Sequence, residues 1–367
     1  MKYYVGLDLH SNNTYLGIID QEGKRLYRAR LRNFINLILA EVEPYKEDIE
    51  GLVVESTFNW YWLVDGLREA GYKVHLANPA AIKQYEGLKY SDDSHDAFYL
   101  AELLRLGLLP EGYIYPRKER EVRDLLRKRL MLVHQRTAHI LSLQSLYNRL
   151  SGQKISVNVI KQLKEEDIHE LFSSPHVILS AQADLSTIDF LTRKIKEIEE
   201  RVLTTIKLLP EFKKLKTVSG IGNILALTIS LEAGDIARFP KVGNFASYCR
   251  CVPSKHMSND KKKREGNRNN GNKYLCWAFV EAANFAKRYC PYARSFYQRK
   301  SAKTNPIIAL KALAHKLARA SYFVIRDRVD YNPLKAFGQI KNGCGSEPTK
   351  RLDPEPYDPI GHLPQPQ

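Results

Sequence analysis

The chain of 367 residues is 44% hydrophobic and carries a formal net charge of +16, with a pI near 9.4. That length allows two or three domains and a sizeable core. No run approaches the ~20 apolar residues of a membrane span, and the N-terminus lacks the basic-then-apolar layout of a signal peptide, so a cytoplasmic location is expected. The five cysteines (Cys249, Cys251, Cys276, Cys290, Cys344) are odd in number and lack a second spaced pair, which argues against a zinc site or a disulfide framework. Charge is divided unevenly: residues 1–110 carry 12 Lys and Arg against 16 Asp and Glu, the remainder 45 against 25. Carboxylates dominate the first part, and the second attracts a polyanion.

Residues 1–76 are expected to run strand, strand, strand, helix, strand, helix, strand. Tyr3–Leu9 and Thr14–Ile19 are strands, and Asp20-Gln21-Glu22-Gly23 is a hairpin turn before Arg25–Arg30. Phe34–Glu43 is apolar at helical spacing and stops before Pro44. Gly51–Glu55 is a continuous apolar strand ending in Glu, Trp60–Ala70 an amphipathic helix ended by Gly71, and Lys73–Leu76 a short strand. An antiparallel meander followed by α/β units is the order of a ribonuclease-H-like fold.

Asp8 lies inside the first strand, where Asp is depleted and an unpaired carboxylate is costly. In a ribonuclease-H-like fold the first and fourth strands are neighbours, so Asp8 and Glu55 project towards one point. Asp93 and Asp96 are one turn apart on a helix beginning near Ser94. Carboxylates so gathered repel unless a cation sits among them, and Mg²⁺ (or Mn²⁺) is the fitting ion. Taken singly, the acidic residues at 92–96 also suit a helix N-terminus.

Residues 117–150 form a long basic helix whose Leu126, Leu130, Val133, Thr137, Ile140, Gln144 and Tyr147 follow a heptad-like seam. A second helix, 188–209, repeats the pattern, and Ser173-Ser174-Pro175 marks a break between them. The two are expected to pack as an intramolecular hairpin, a dimerising coiled coil, or both. Val218-Ser219-Gly220-Ile221-Gly222 has the look of a helix-hairpin-helix turn, in which Gly220 and Gly222 let backbone amides approach a phosphate; a plain helix–helix turn is the alternative. Residues 255–273 are expected to be a polar loop between apolar helices at 240–250 and 274–289. Its Lys255, Lys261, Lys262, Lys263, Arg264, Arg268 and Lys273 suit a nucleic-acid backbone. Helix 306–327 has one apolar face, and past Tyr331 the chain turns Pro- and Gly-rich and is expected to be a flexible tail.

The ordered combination of Gly6-Leu7-Asp8-Leu9-His10, Val53-Val54-Glu55, Asp93-Ser94-His95-Asp96-Ala97, Val218–Gly222, Tyr248…Val252-Pro253, Ser258 and Gly271-Asn272 resembles the DEDD transposases (recombinases) of bacterial insertion sequences of the 110/1111 type. The resemblance runs from about residue 3 to residue 290. It implies a RuvC-like DEDD domain over 1–112, a helical coiled-coil linker over 113–210, and a mostly α C-terminal transposase domain over 211–330, with 331–367 as the tail. It also implies that Asp8, Glu55, Asp93 and Asp96 bind metal and that Ser258 is a nucleophile joining covalently to a DNA phosphate. The partners so implied are donor and target DNA, a bridge RNA and further copies of the chain, in a bacterial cytoplasm at the nucleoid. Two positions stay open. Asp92 adjoins Asp93, and Ser254 is the alternative to Ser258, because the glycine-rich stretch expected after the serine is here Asn259-Asp260-Lys261. The competing functional reading is a RuvC-like, metal-dependent structure-specific nuclease without a covalent serine intermediate.

Overall fold

The computed structural model describes residues 1–79, 81–82, 93–205, 210–252, 255–258, 261–265 and 271–339, with 93–94, 205, 210, 255–258 and 261–265 described by backbone alone. Five strands form the N-terminal sheet: β1 (Tyr3–Leu9), β2 (Asn13–Asp20), β3 (Arg25–Arg32), β4 (Ile49–Glu55) and β5 (Val74–Ala77). Their spatial order is β3-β2-β1-β4-β5. The first three pair antiparallel, and β1–β4 and β4–β5 pair parallel. Alternation decides the faces. Val5, Leu7, Leu9, Leu16, Ile18, Leu52 and Val54 point to one side, where α1 (Ile35–Val42) and α2 (Tyr61–Glu69) cover them with Ile38, Val42, Leu63 and Leu67.

The other side receives α3 (Asp93–Arg105). Gly6 and Gly17 are cross-strand partners on that side, and both are small for a reason. A Cβ on Gly6 would collide with the Ala97 carbonyl, and one on Gly17 would meet the Phe98 ring at 2.8 Å. Two glycines in register thus make the groove in which α3 lies flush against the sheet.

The chain then enters α4 (Arg117–Ser151), which turns back through α5 (Val157–Ile160) and α6 (Glu165–Leu171) into α7 (Pro175–Thr205). α4 and α7 pack on each other, with Arg129 paired to Glu199 at 2.6 Å and His139 to Asp184 at 2.8 Å, so the intramolecular hairpin is realised. α7 begins at Pro175, thirteen residues before the expected start. The residues Ser173-Ser174-Pro175 are therefore a helix entrance with Pro in the first turn, where its missing N–H costs nothing.

The C-terminal half is helical: α8 (Pro210–Leu215), α9 (Asn223–Ala233), α10 (Val242–Tyr248), α11 (Lys273–Tyr289), α12 (Pro291–Lys303), α13 (Pro306–Asp327) and α14 (Pro333–Phe337). Leu225, Ile229, Phe245, Phe279, Leu313, Leu317 and Tyr322 fill a shared core. Two expectations are corrected. The stretch 255–273 is not wholly loop: β6 (Lys255–Ser258) and β7 (Lys261–Glu265) form an antiparallel hairpin, which composition hid because Lys and Glu are poor strand formers. The fold also continues past Tyr331, because Phe337 stacks on Phe296 at 5.7 Å and Lys316 Nζ donates to the Ala336 carbonyl at 2.8 Å. No helix among the described residues is long and apolar enough to cross a membrane.

Candidate active site

Asp8 is 3% exposed, held by the ladder that pairs it with Tyr15 on β2. The adjoining Leu7 is in register with Val54 on β4, which brings Glu55 alongside. Gly6, two residues before Asp8, is the seat of Ala97, and this sets Asp96 at the same corner. His10 Nε2 lies 3.1 Å from Asp8 Oδ2. The His10 carbonyl accepts from Asn33 Nδ2 at 2.9 Å and Asn59 Nδ2 at 3.1 Å, so two side-chain amides fix the exit of β1.

Glu55 reports the electrostatics of this corner. Burial, a hydrogen bond shared with Asp8 and the charges of Asp8 and Asp96 push its pKa up to about 7, while His10 pulls the other way. At neutral pH the group is poised between holding a proton and giving it up. A divalent cation can take the place of that proton, and an all-oxygen donor set suits Mg²⁺ or Mn²⁺, so the residues present fit the ion. Among the described residues no three or more His, Cys, Asp or Glu side chains already stand as a metal-holding group. The side chain of Asp93 at the head of α3, and Asp92 altogether, lie outside the described residues.

Ser258 is the last residue of β6, in register with Lys261, and His256 is opposite Arg264. Lys255, Lys261, Lys262, Lys263 and Arg264 belong to this hairpin by backbone, whereas Ser254 and Arg268 fall outside the described residues. Of the two turn glycines, Gly220 (φ +86°) is needed by the protein itself: a Cβ there would strike the Ala282 carbonyl of α11. Gly222 is exposed at the N-terminus of α9. Lys273 opens α11, its ammonium 5.2 Å from the Tyr274 ring centre.

The entrance to α11 is anchored by residues whose role composition did not show. Asn272 accepts from the Tyr274 and Leu275 amides as the cap of α11, and donates to Glu232 Oε2 at 2.6 Å. Glu232 is 1% exposed and receives Arg127 Nε on Oε1 at 2.6 Å and Arg127 Nη2 on Oε2 at 2.7 Å, a fork on one carboxylate. Gly271 packs against the Tyr248 carbonyl, which also accepts from the Asn272 amide. Glu232 carried a readable signal, since it interrupts the apolar run Asn223–Ala233 as Asp8 interrupts its strand. Three further arginines complete the joint. Arg120 pairs with Asp65 at 2.5 Å and stacks on Tyr61 at 4.5 Å, and Arg123 lies 3.8 Å from the Tyr115 ring centre. Arg238 sits 4.7 Å from the ring centre of Tyr113 and 4.6 Å from that of Tyr248.

Residues 5–151 match a transposase model of the IS110 DEDD type, and residues 212–298 match the model described as transposase IS116/IS110/IS902 family. The chain is 22% identical over 335 residues to the transposase for insertion sequence element IS1328 of Yersinia enterocolitica, covering 87% of this chain and 96% of that one. It is 23% identical over 296 residues to the transposase for IS1111A of Coxiella burnetii, covering 78% of each. It is also 24% identical over 342 residues to the pilin gene-inverting protein of Moraxella lacunata, covering 89% and 96%. The two family matches together take in well over half of the chain, which belongs to the IS110/IS1111 family of transposases, phosphoryl-transfer enzymes acting on DNA, with an N-terminal DEDD domain and a C-terminal transposase domain.

Proposed function

We propose that this transposase cuts and rejoins DNA through a composite site in which Asp8, Glu55, Asp93 and Asp96 hold Mg²⁺ or Mn²⁺ and Ser258 is the nucleophile. The observation that carries the proposal is Glu55, whose pKa is raised to about 7 by burial beside Asp8 and Asp96, an arrangement that a bound cation relieves. When bound, the ion supplies charge neutralisation at the scissile phosphate. Ser258 forms an ester to phosphorus as the DNA O–P bond breaks; the serine loses its proton and the departing DNA oxygen gains one. The division at 1–112, 113–210 and 211–330 puts the carboxylates and the serine in different domains, so cutting requires their assembly. Lys255, Lys261, Lys262, Lys263, Arg264, Arg268, Lys273 and the Gly220–Gly222 turn contact the nucleic-acid backbone. A bridge RNA as guide and assembly into a homo-oligomer complete the proposal, supported by the family resemblance and by the basic excess of residues 111–367.

The test is a Ser258→Ala variant incubated with element-end DNA and Mg²⁺, then run on a denaturing gel. Loss of the protein–DNA adduct together with loss of cutting is expected. Cutting that persists without an adduct indicates the nuclease reading, and an adduct that persists moves the nucleophile to Ser254. RNA that copurifies with the full-length chain and maps beside its gene tests the guide.

A further inference from the structure

The DEDD domain has an acidic balance overall, yet four of its arginines fall within the eight residues of β3: Arg25, Arg28, Arg30 and Arg32. β3 is an edge strand. Register fixes which way its side chains point, because directly opposed residues of an antiparallel pair share a face. Arg28 is opposite Gly17, which is opposite Gly6; Arg30 is opposite Tyr15, which is opposite Asp8; Arg32 is opposite Asn13. Arg28, Arg30 and Arg32 therefore stand on the face that carries Asp8 and α3.

The contacts agree. The Arg30 guanidinium lies 5.4 Å from the Tyr15 ring centre, and the same ring meets His10 edge-on at 5.7 Å. Arg25 stacks 4.6 Å from the ring centre of Phe98 on α3. Five other arginines, Arg105, Arg117, Arg120, Arg127 and Arg129, each meet a carboxylate. Arg28, Arg30 and Arg32 are exposed, and none forms an ion pair with a described carboxylate. Alternate residues of a strand are rooted about 7 Å apart, and two inter-strand steps separate Arg30 from Asp8 by roughly 10 Å. That repeat is of the order of the spacing between neighbouring phosphates on an extended strand.

We propose that Arg28, Arg30 and Arg32 form a phosphate track on β3 that leads the DNA strand to be cut into the carboxylate corner at Asp8. The proposal rests on reading that corner as catalytic. It assigns to the DEDD domain itself a nucleic-acid contact separate from the basic hairpin of the C-terminal half. The ordinary use of charge on an edge strand is to deter edge-to-edge pairing; the alignment of the row with Asp8 on one face is what points further.

The experiment measures binding of the full-length chain to a fluorescein-labelled single-stranded DNA in EDTA across a salt series. The Arg28→Gln/Arg30→Gln/Arg32→Gln variant is expected to bind about 10-fold more weakly at 0.15 M salt, with the log–log salt slope reduced by about 2, for three lost contacts at ~0.7 each. The matching Lys variant is expected to recover most of this. A control removing equal charge from the tip of the helical hairpin (Arg149→Gln/Lys154→Gln/Lys161→Gln) is expected to leave the slope in place; an equal drop there overturns the proposal. So does an unchanged slope in the β3 variant, with or without self-association by light scattering. Loss of binding to RNA of the same sequence, with DNA binding intact, also overturns it. Cutting by the β3 variant is expected to recover at saturating DNA, and failure to recover counts against a guiding role. Asp8→Asn separates the two readings: if that variant still cuts, the catalytic reading of the corner fails whatever the β3 slope shows.

Discussion

Asp8 is the residue on which the site's electrostatics turn, because it is buried within β1 and both hydrogen-bonds and repels Glu55. Burial with Asp8 and Asp96 lifts Glu55 from 4.5 to about 7. Between those values the folded chain holds a proton that the unfolded chain has released, so stability is lost as pH rises through that window. The metal-free protein is expected to melt at a lower temperature at pH 8 than at pH 5.5. Glu55→Gln is expected to flatten that difference, and saturating Mg²⁺ to reduce it, all by calorimetry. Asp8→Asn removes the repelling charge, so it is expected to raise the metal-free melting temperature at pH 8 while reducing DNA cutting to background on a gel. Asp8 was legible because strands seldom hold Asp, and Asp96 because it is one helical turn from Asp93. His10 was not assigned, since its approach to Asp8 depends on the bend at the end of β1 that Asn33 and Asn59 fix from distant loops. Glu232 is harder to read, because a carboxylate in a helix ordinarily faces water and its partner Arg127 is 105 positions away.

At the scale of elements, α4 is the joint between the halves. Its Arg120 is 3% exposed, lies 5.1 Å from the Trp60 ring centre and pairs with Asp65. Removing it leaves a partly buried carboxylate without its counter-charge, so Arg120→Ala is expected to destabilise by about 3 kcal/mol in urea melts. Asn272→Ala deletes the cap of α11 and the contact to Glu232 together. A loss of about 2 kcal/mol is expected from a cap near 1 and a charge-assisted hydrogen bond of similar size. The helix boundaries show where pattern reading stops. The heptad seam of α4 was visible, with Leu126, Leu130 and Ile140 buried as its spacing demands. The early start of α7 was not, because Ala181 and Leu185 face a small core shared with α5 and α6 that no periodicity in α7 alone encodes. The β6–β7 hairpin was concealed by its lysines.

For the molecule as a whole, the basic excess lies after residue 110 and the acidic balance before it, and the order of strands foretold the topology of the sheet. Composition was a poorer guide to where the fold ends. A chain truncated after Asp330 loses α14 and the Phe337–Phe296 stack. It is expected to be about 1–2 kcal/mol less stable than one truncated after Gly338, from the apolar surface uncovered.

The helical hairpin has two separate apolar centres. Leu126 and Val202 join Leu227 and Leu231 of α9 near its root, whereas Ile140, Leu143, Ile160, Ile168 and Ile188 form a centre further out. At 1.5 Å per residue, a 35-residue helix reaches about 50 Å, so the outer centre stands well away from both halves of the molecule. Its amide hydrogens should exchange with deuterium as a cooperative block of their own, opening and closing while the root stays shut. An arm with that independence tolerates insertion of whole helical turns at its tip without disturbing where Asp8 and Glu55 or the helices of the C-terminal core are anchored.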